Sequence, residues 1–446
     1  MVRKKAKGLT QSQSAIASVR RDPERYAPLG LTANPFPAGG LAPSNPLIEP
    51  FPDVRSKIVS FLTQFLETGS SNGLVLLGNY GAGKTYHLNY IRSLLKSATY
   101  SLKIVHVVDP GLHPYQIIRS ILLNIGEEEV ATMIWGVIGP YLKKQHDENP
   151  NFFDGMVSRT KGKSVSTAIG QSMLRMAFAS FTEETWSDHR IFLKELERQI
   201  LIDRERLVYE ITPSLTNRSS SMYISDIKQI VQDLIGVCLY DGVPALERWK
   251  AMTEGVGAGA IQPGNEPQFL TALLHLLKKS GVEYFILLVD EFEKVPQLER
   301  MTDKDARLYL DTLRMLIDEG HQHLPFAYVV ASNPDAWRIA VDKIAPLKDR
   351  FTAIDIPPMV EDKAALHMIR SYLAEARTDV VYDNNPLSPF PPNFLELIPA
   401  DARRTARQLV KLCHALIEQA VMRGWSTVEP DLIDELLRDQ DDATSH

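Results

Sequence analysis

The sequence predicts an α/β fold built on a parallel sheet, and three observations carry the prediction. Residues 73–77, 284–289 and 326–331 are short apolar runs, as in strands buried on both faces, and 102–108 reads as a further strand. Stretches of helical spacing lie between them: Leu88, Ile91, Leu94 and Leu95 after the first run, and a second helix over 115–125 after the next. A glycine-rich turn at 78–85 joins the first run to its helix.

Residues 1–28 are polar and charged without an apolar period and read as a flexible tail. Residues 29–52 are rich in Pro and Gly. Phe36 and Phe51 each stand between prolines, which exclude regular helix, so each reads as an apolar hook on an extended segment wrapping a folded body. Val54, Ile58, Phe61, Leu62, Phe65 and Leu66 then recur at helical spacing.

Residues 126–265 break the strand–helix rhythm. They read as helices joined by loops, among them a long charged helix over 182–209 and one N-capped by Ser225. Lys84 and Asp290 lie 206 positions apart, far more than a strand–helix–strand step needs. The surplus is expected to be an inserted helical domain. After Pro358 the chain reads as helical to its end, apart from a Pro-rich loop at 386–392. The expected organisation is a tail at 1–28, an α/β core at 29–125 and 266–358, a helical insert at 126–265 and helices at 359–446.

Gly78, Asn79, Tyr80, Gly81, Ala82, Gly83, Lys84 and Thr85 fit G-x-x-x-x-G-K-[ST] in full, with a strand before and a helix after. In such a turn the backbone N–H groups curl around phosphates and the helix N-terminus adds a favourable dipole. Lys84 then reaches the β- and γ-phosphates of ATP, and the Thr85 hydroxyl ligates Mg²⁺. The apolar run 285–289 leads into Asp290 and Glu291. Asp290 is expected to hold the Mg²⁺, directly or through water, and Glu291 to act as general base on the attacking water.

These residues resemble those of AAA+ ATPases, and within them the Orc-like group that bacteria use in mobile elements and phage defence. The resemblance implies a P-loop AAA+ core with a central parallel sheet, a large helical insertion between Walker A and Walker B, and a C-terminal helical lid. It makes Asn333 the sensor 1 residue and Arg403, in Ala400-Asp401-Ala402-Arg403-Arg404, the sensor 2 contact to the γ-phosphate, with Arg404 the alternative. The same stretch is taken to open a lid helix. Arg350 resembles the arginine finger given in trans to a neighbouring subunit, which implies a homo-oligomer with ATP at its interfaces.

The implied function is ATP hydrolysis with Mg²⁺, driving assembly or a conformational switch on DNA or a DNA-associated partner. The alternative is a STAND-like regulatory module that binds ATP, signals through its insert and hydrolyses slowly. The chain departs from the Orc pattern in having Ala400 where that group has Gly, and in having no room for a winged helix after the lid.

Composition bounds these readings. Apolar residues make up 44% and charged residues 23%, close to a soluble globular average. The formal net charge is −6, and residues 126–265 hold 15 Lys+Arg against 19 Asp+Glu. DNA contact is therefore expected only from a local patch or an oligomer surface. The insert is expected to bind a protein partner, and its cluster of Arg159, Lys161 and Lys163 reads as a solvated loop. Trp135, Trp186 and Trp249 read as core or partner contacts rather than base-stacking platforms. No apolar run approaches a membrane span, the basic N-terminus lacks a signal's apolar region, and two isolated cysteines fit a reducing cytoplasm.

Overall fold

The computed structural model describes residues 23–39, 51–111, 113–149, 151–153, 156–159, 167–197, 201–215, 224–240, 242–254, 266–295, 302–359, 362–377, 385–401 and 405–444. The chain divides into two compact units. One comprises 57–77 and 95–354; the other comprises 1–56, 78–94 and 355–446.

The first unit holds a five-stranded sheet of β1 (Asn72–Leu77), β2 (Leu102–Val107), β5 (Tyr284–Val289), β6 (Phe326–Ser332) and β7 (Phe351–Asp355). Its order is β2-β5-β6-β1-β7. β1 pairs with β6, β6 with β5 and β5 with β2, all parallel. Every residue of β6 is buried, as are all but the first residues of β1 and β5, which is why these strands read as continuous apolar runs. Gly73 is needed where it stands: a Cβ there would lie 2.5 Å from the Phe351 ring. Register aligns Leu77 with Ser332, and Val289 with both Val330 and Val107. The C-terminal ends of β1, β5 and β6 therefore lie along one edge.

α1 (Pro52–Thr68) runs up to β1, and the Tyr284 hydroxyl donates to Leu66 O at 2.8 Å. α3 (Pro114–Ile125) follows β2, and α4 (Glu127–Glu148) opens the insert one residue later. α11 (Glu266–Lys279) and α12 (Asp303–His323) flank β5. One apolar core joins Val105 and Leu287 of the sheet, Ile121 of α3, Leu273 of α11, and Ile134 and Phe192 of the insert. Within the insert Trp135 is buried and its Nε1 donates to Trp186 O at 3.0 Å. Trp186 and Trp249 are also buried.

The expected long helix over 182–209 is instead α6 (Glu183–Ser187), α7 (His189–Glu197), the two-residue strand β4 (Leu201–Ile202) and α8 (Arg204–Leu215). Two aspartates cause the breaks. Asp188 is extended at φ −124°, and its Oδ1 accepts from Arg190 N at 2.8 Å; Asp203 Oδ1 accepts from Arg206 N at 3.0 Å. Each side chain offers the backbone a cap in place of a continuing helix. α9 (Ile224–Leu239) is already helical at Ile224, so Ser225 lies in its first turn rather than capping it. Lys161 and Lys163 lie outside the described residues.

The second unit is built on α15 (Asp362–Ala376), α16 (Ala406–Met422) and α17 (Pro430–Thr444). The N-terminal segment straps across them. Phe36 is buried against Tyr372 and Phe390, with ring centroids 5.2 and 6.0 Å away. Phe51 is buried and stacks on His87. Thr32 N donates to Ala376 O at 2.7 Å, and His414 Nδ1 donates to Phe36 O at 2.7 Å.

The strap begins earlier than the expected tail boundary at residue 28. Glu418 receives Arg25 Nη2 at 2.7 Å, the Tyr26 hydroxyl at 2.7 Å and Asn34 Nδ2 at 2.9 Å. One carboxylate with three donors from 23–34 draws residues that composition alone assigns to a tail into the fold.

Candidate functional site

The glycine-rich loop at 78–85 belongs to the second unit. α2 (Lys84–Leu95) begins at the motif lysine, with Thr85 exposed in its first turn. Gly81 and Gly83 have φ of +77° and +100°, a region that glycine alone enters without steric cost. Ala82 N donates to Asn79 O at 3.1 Å, and a Cβ on Gly78 would lie 2.9 Å from the Ala82 Cβ. Lys84 is buried, and its Nζ returns to donate to Gly78 O at 3.0 Å. The loop thus folds around its own lysine.

The start of α16 rests on this loop. Arg407 N donates to Gly81 O at 3.3 Å, and Arg407 Nη1 donates to the Tyr80 hydroxyl at 2.6 Å. The guanidinium carbon lies 4.9 Å from the Tyr80 ring centroid, within cation–π range. Tyr80 is otherwise 80% exposed. A Cβ on Gly81 would lie 3.0 Å from Thr405 Oγ1.

Sequence reading missed Arg407. It placed the helix opening at 400–404, whereas Thr405 is the N-cap and shares a reciprocal capping box with Gln408. The T-x-x-Q spacing at 405–408 was the available signal. Arg403 and Arg404 lie outside the described residues.

The acidic residues belong to the first unit. Asp290 follows β5 directly, is 5% exposed, and extends the pairing with β2 through Asp290 N to Val107 O at 2.9 Å. Its Oδ1 accepts from Glu291 N at 2.9 Å. Glu291 has φ 50° and ψ 32°, the one positive-φ non-glycine among the described residues. Its carboxylate pairs with Lys294, whose Nζ also donates to Asp109 Oδ2 at 2.9 Å. The hydrogen bonds to Glu291 and Asp109 hold the Lys294 ammonium above its ordinary pKa, and Lys294 draws the Asp109 carboxyl below its own.

β6 lies between β1 and β5 and ends at Ser332, just before Asn333. Asn333 caps α13 (Pro334–Lys343), its Oδ1 accepting from Ala336 N at 2.7 Å. Arg350 ends α14 (Leu347–Arg350), where its Nε donates to Asp318 Oδ1 at 2.5 Å. That bond raises its pKa further.

The Thr85 hydroxyl and the Asp290 carboxylate are each hard oxygen donors, the chemistry Mg²⁺ prefers. Among the described residues no group of three or more His, Cys, Asp and Glu could hold a metal. No helix of the described residues is long and apolar enough to cross a membrane.

No protein-family profile matches the chain, and no curated protein matches its sequence. Among solved structures it is similar to the Aeropyrum pernix ORC2 protein, as ADPNP-ADP complexes and in the ADP form. Each has 12% identity and TM-score 0.44; they cover 90% and 89% of this chain and 69% of theirs. It is also similar to Drosophila ORC bound to DNA, with 12% identity, TM-score 0.38, 98% of this chain covered and 69% of that one.

Proposed function

We propose that the chain is a P-loop ATPase of the AAA+ type that binds ATP with Mg²⁺ and hydrolyses it. The observation that carries this reading is the glycine-rich loop itself: a buried strand, two left-handed glycines, and a buried lysine at the start of a helix whose Nζ donates back to the Gly78 carbonyl. A charge-assisted bond from the Lys84 ammonium to a phosphate oxygen is stronger than one to a neutral carbonyl.

In this reading Gly78, Asn79, Tyr80, Gly81, Ala82 and Gly83 wrap the phosphates, Thr85 and Asp290 hold Mg²⁺, and Arg403 or Arg407 contacts the nucleotide from the lid. Bound Mg²⁺ supplies Lewis-acid stabilisation of the phosphate oxygens. Glu291 takes a proton from water as the water oxygen bonds to the γ-phosphorus. The bond from that phosphorus to the β–γ bridging oxygen breaks, and its electron pair leaves with ADP. The proton passes on to the released phosphate or to solvent. Asn333 orients the water, and Arg350 of a neighbouring subunit stabilises the charge developing on the γ-phosphoryl oxygens.

A homo-oligomer acting on DNA or a DNA-bound partner, in phage defence or a mobile element in the cytoplasm, completes the proposal, with the 126–265 insert contacting a protein partner. A second reading is a regulatory ATP switch with slow hydrolysis. It is favoured by one feature: Glu291 and Arg350 are each engaged by an opposite charge within the chain.

The test is equilibrium titration of ATP against Lys84→Ala. Tight binding should vanish; unchanged affinity would remove the phosphate-loop assignment. Turnover of the parent at saturating ATP separates the two readings.

A further inference from the structure

Glu291, Lys294 and Asp109 form an ion-paired set whose members come from two different strand ends. Glu291 and Asp109 lie two residues beyond the ends of β5 and β2 respectively. Phe292 and Val295 are buried and anchor the 3₁₀ turn (Phe292–Lys294) that carries the lysine. Asp109 is held independently: its Oδ1 accepts from Gly111 N at 2.9 Å, and the buried Tyr309 hydroxyl donates to Pro110 O at 3.2 Å. A Cβ on Gly111, which has φ +71°, would lie 2.3 Å from Gln116 Oε1, so this loop tolerates only glycine there.

We propose that Lys294 is a brake on Glu291, a positioning residue that occupies the carboxylate needed for water and releases it by settling on Asp109. The proposal rests on the reading of Glu291 as general base. A carboxylate that accepts from an ammonium, as Glu291 does from Lys294, has one lone-pair site fewer for a water proton. Glu291 is held at a left-handed backbone position that a β-carbon disfavours, so its direction is set by constraints beyond its own preference. Asp109 makes release cheap. It is already a partner of the same Nζ and is fixed by its own loop, so the ammonium loses one of two anions and is never left without one.

This arrangement predicts opposite effects at the two ends of the set. Lys294→Met frees Glu291 and should raise kcat at saturating ATP by about three- to fivefold, the leverage of a half-exposed ion pair. Asp109→Asn removes the alternative partner and should lower kcat by a similar factor. Lys294→Arg keeps a cation in place and should stay near the parent rate. ATP affinity, read by titration, should hold constant throughout, because none of the three residues lies in the phosphate loop.

The deciding experiment measures kcat and ATP affinity of full-length Lys294→Met, alone and combined with Glu291→Gln. The increase should appear in the first and be absent from the second. A kcat that is unchanged or reduced in Lys294→Met, with affinity and melting like the parent, overturns the brake. Should that variant fail to fold, Lys294→Gln serves the same comparison. Parent-like turnover in Glu291→Gln alone would overturn the base assignment and the brake with it. An inactive Glu291→Gln beside a Lys294→Met that is no faster would overturn the brake alone.

Discussion

In the phosphate loop the left-handed positions are glycines, Gly81 and Gly83; in the acidic turn the left-handed position is Glu291. The loop's lysine donates to the Gly78 carbonyl, whereas the turn's lysine is held by two carboxylates. The loop therefore reaches its shape without strain. The turn holds a residue costing on the order of 1–2 kcal/mol at that backbone position. The difference follows from what each segment must present. The loop offers backbone N–H groups, which glycine provides. The turn must offer a carboxylate, which glycine lacks.

The sharpest way to break this comparison concerns Arg350, engaged by Asp318. If it acts in trans, Arg350→Ala should cost about 10³-fold or more in hydrolysis and remove any more-than-linear rise of rate with protein concentration. Mixing Arg350→Ala with Lys84→Ala should restore some activity at the shared interface. A mixture as inactive as its parts, with both proteins folded and associated, makes Arg350 a structural residue.

Glu291→Gln should keep ATP affinity and lose about a hundredfold or more in turnover, the scale of a general base. Equal loss of affinity would mean that the acidic turn binds rather than hydrolyses.

Backbone preference gives the next effect. Gly81→Ala places a Cβ at a left-handed position and against Thr405. It should weaken ATP binding about tenfold, the equivalent of roughly 1–2 kcal/mol of strain. Glu291→Gly should be more stable to urea than Glu291→Ala by about 1 kcal/mol. Equal stability of the two would show that the turn carries no strain.

The smallest effect lies at the strap. Burial alone would raise the Glu418 pKa, but hydrogen bonds from Asn34 and Tyr26 and the charge of Arg25 outweigh it and hold it below the ordinary 4.5. A carboxylate depressed in the folded state gives stability that is present above its ordinary pKa and is lost as pH falls through the folded value. Limited proteolysis of 23–37 should therefore rise as pH drops below about 4.5. Glu418→Gln should bring the rise to neutral pH at a cost of about 1 kcal/mol. A strap equally protected in the variant would assign its docking to Phe36 alone.

Sequence by itself determined the features that depend on near neighbours. The strand read at 284–289 is β5 to the residue, and those read at 73–77, 102–108 and 326–331 each differ from β1, β2 and β6 by one residue. A strand buried on both faces must be apolar throughout, so it is legible from composition alone. Phe36 and Phe51 were legible as hooks because proline removes the alternatives. Gly81 and Gly83 were legible because no other residue takes that backbone freely.

The tertiary structure alone decided the rest. It set which strand ends share an edge, placed Arg407 against the phosphate loop, gathered Arg25, Tyr26 and Asn34 onto Glu418, and joined Lys294 to Asp109 across 185 positions. A parallel sheet brings strands together only through long crossovers, and the whole insert lies between β2 and β5 along the chain. The partners of a side chain at a strand end are then fixed by strand order, which apolar periodicity leaves open.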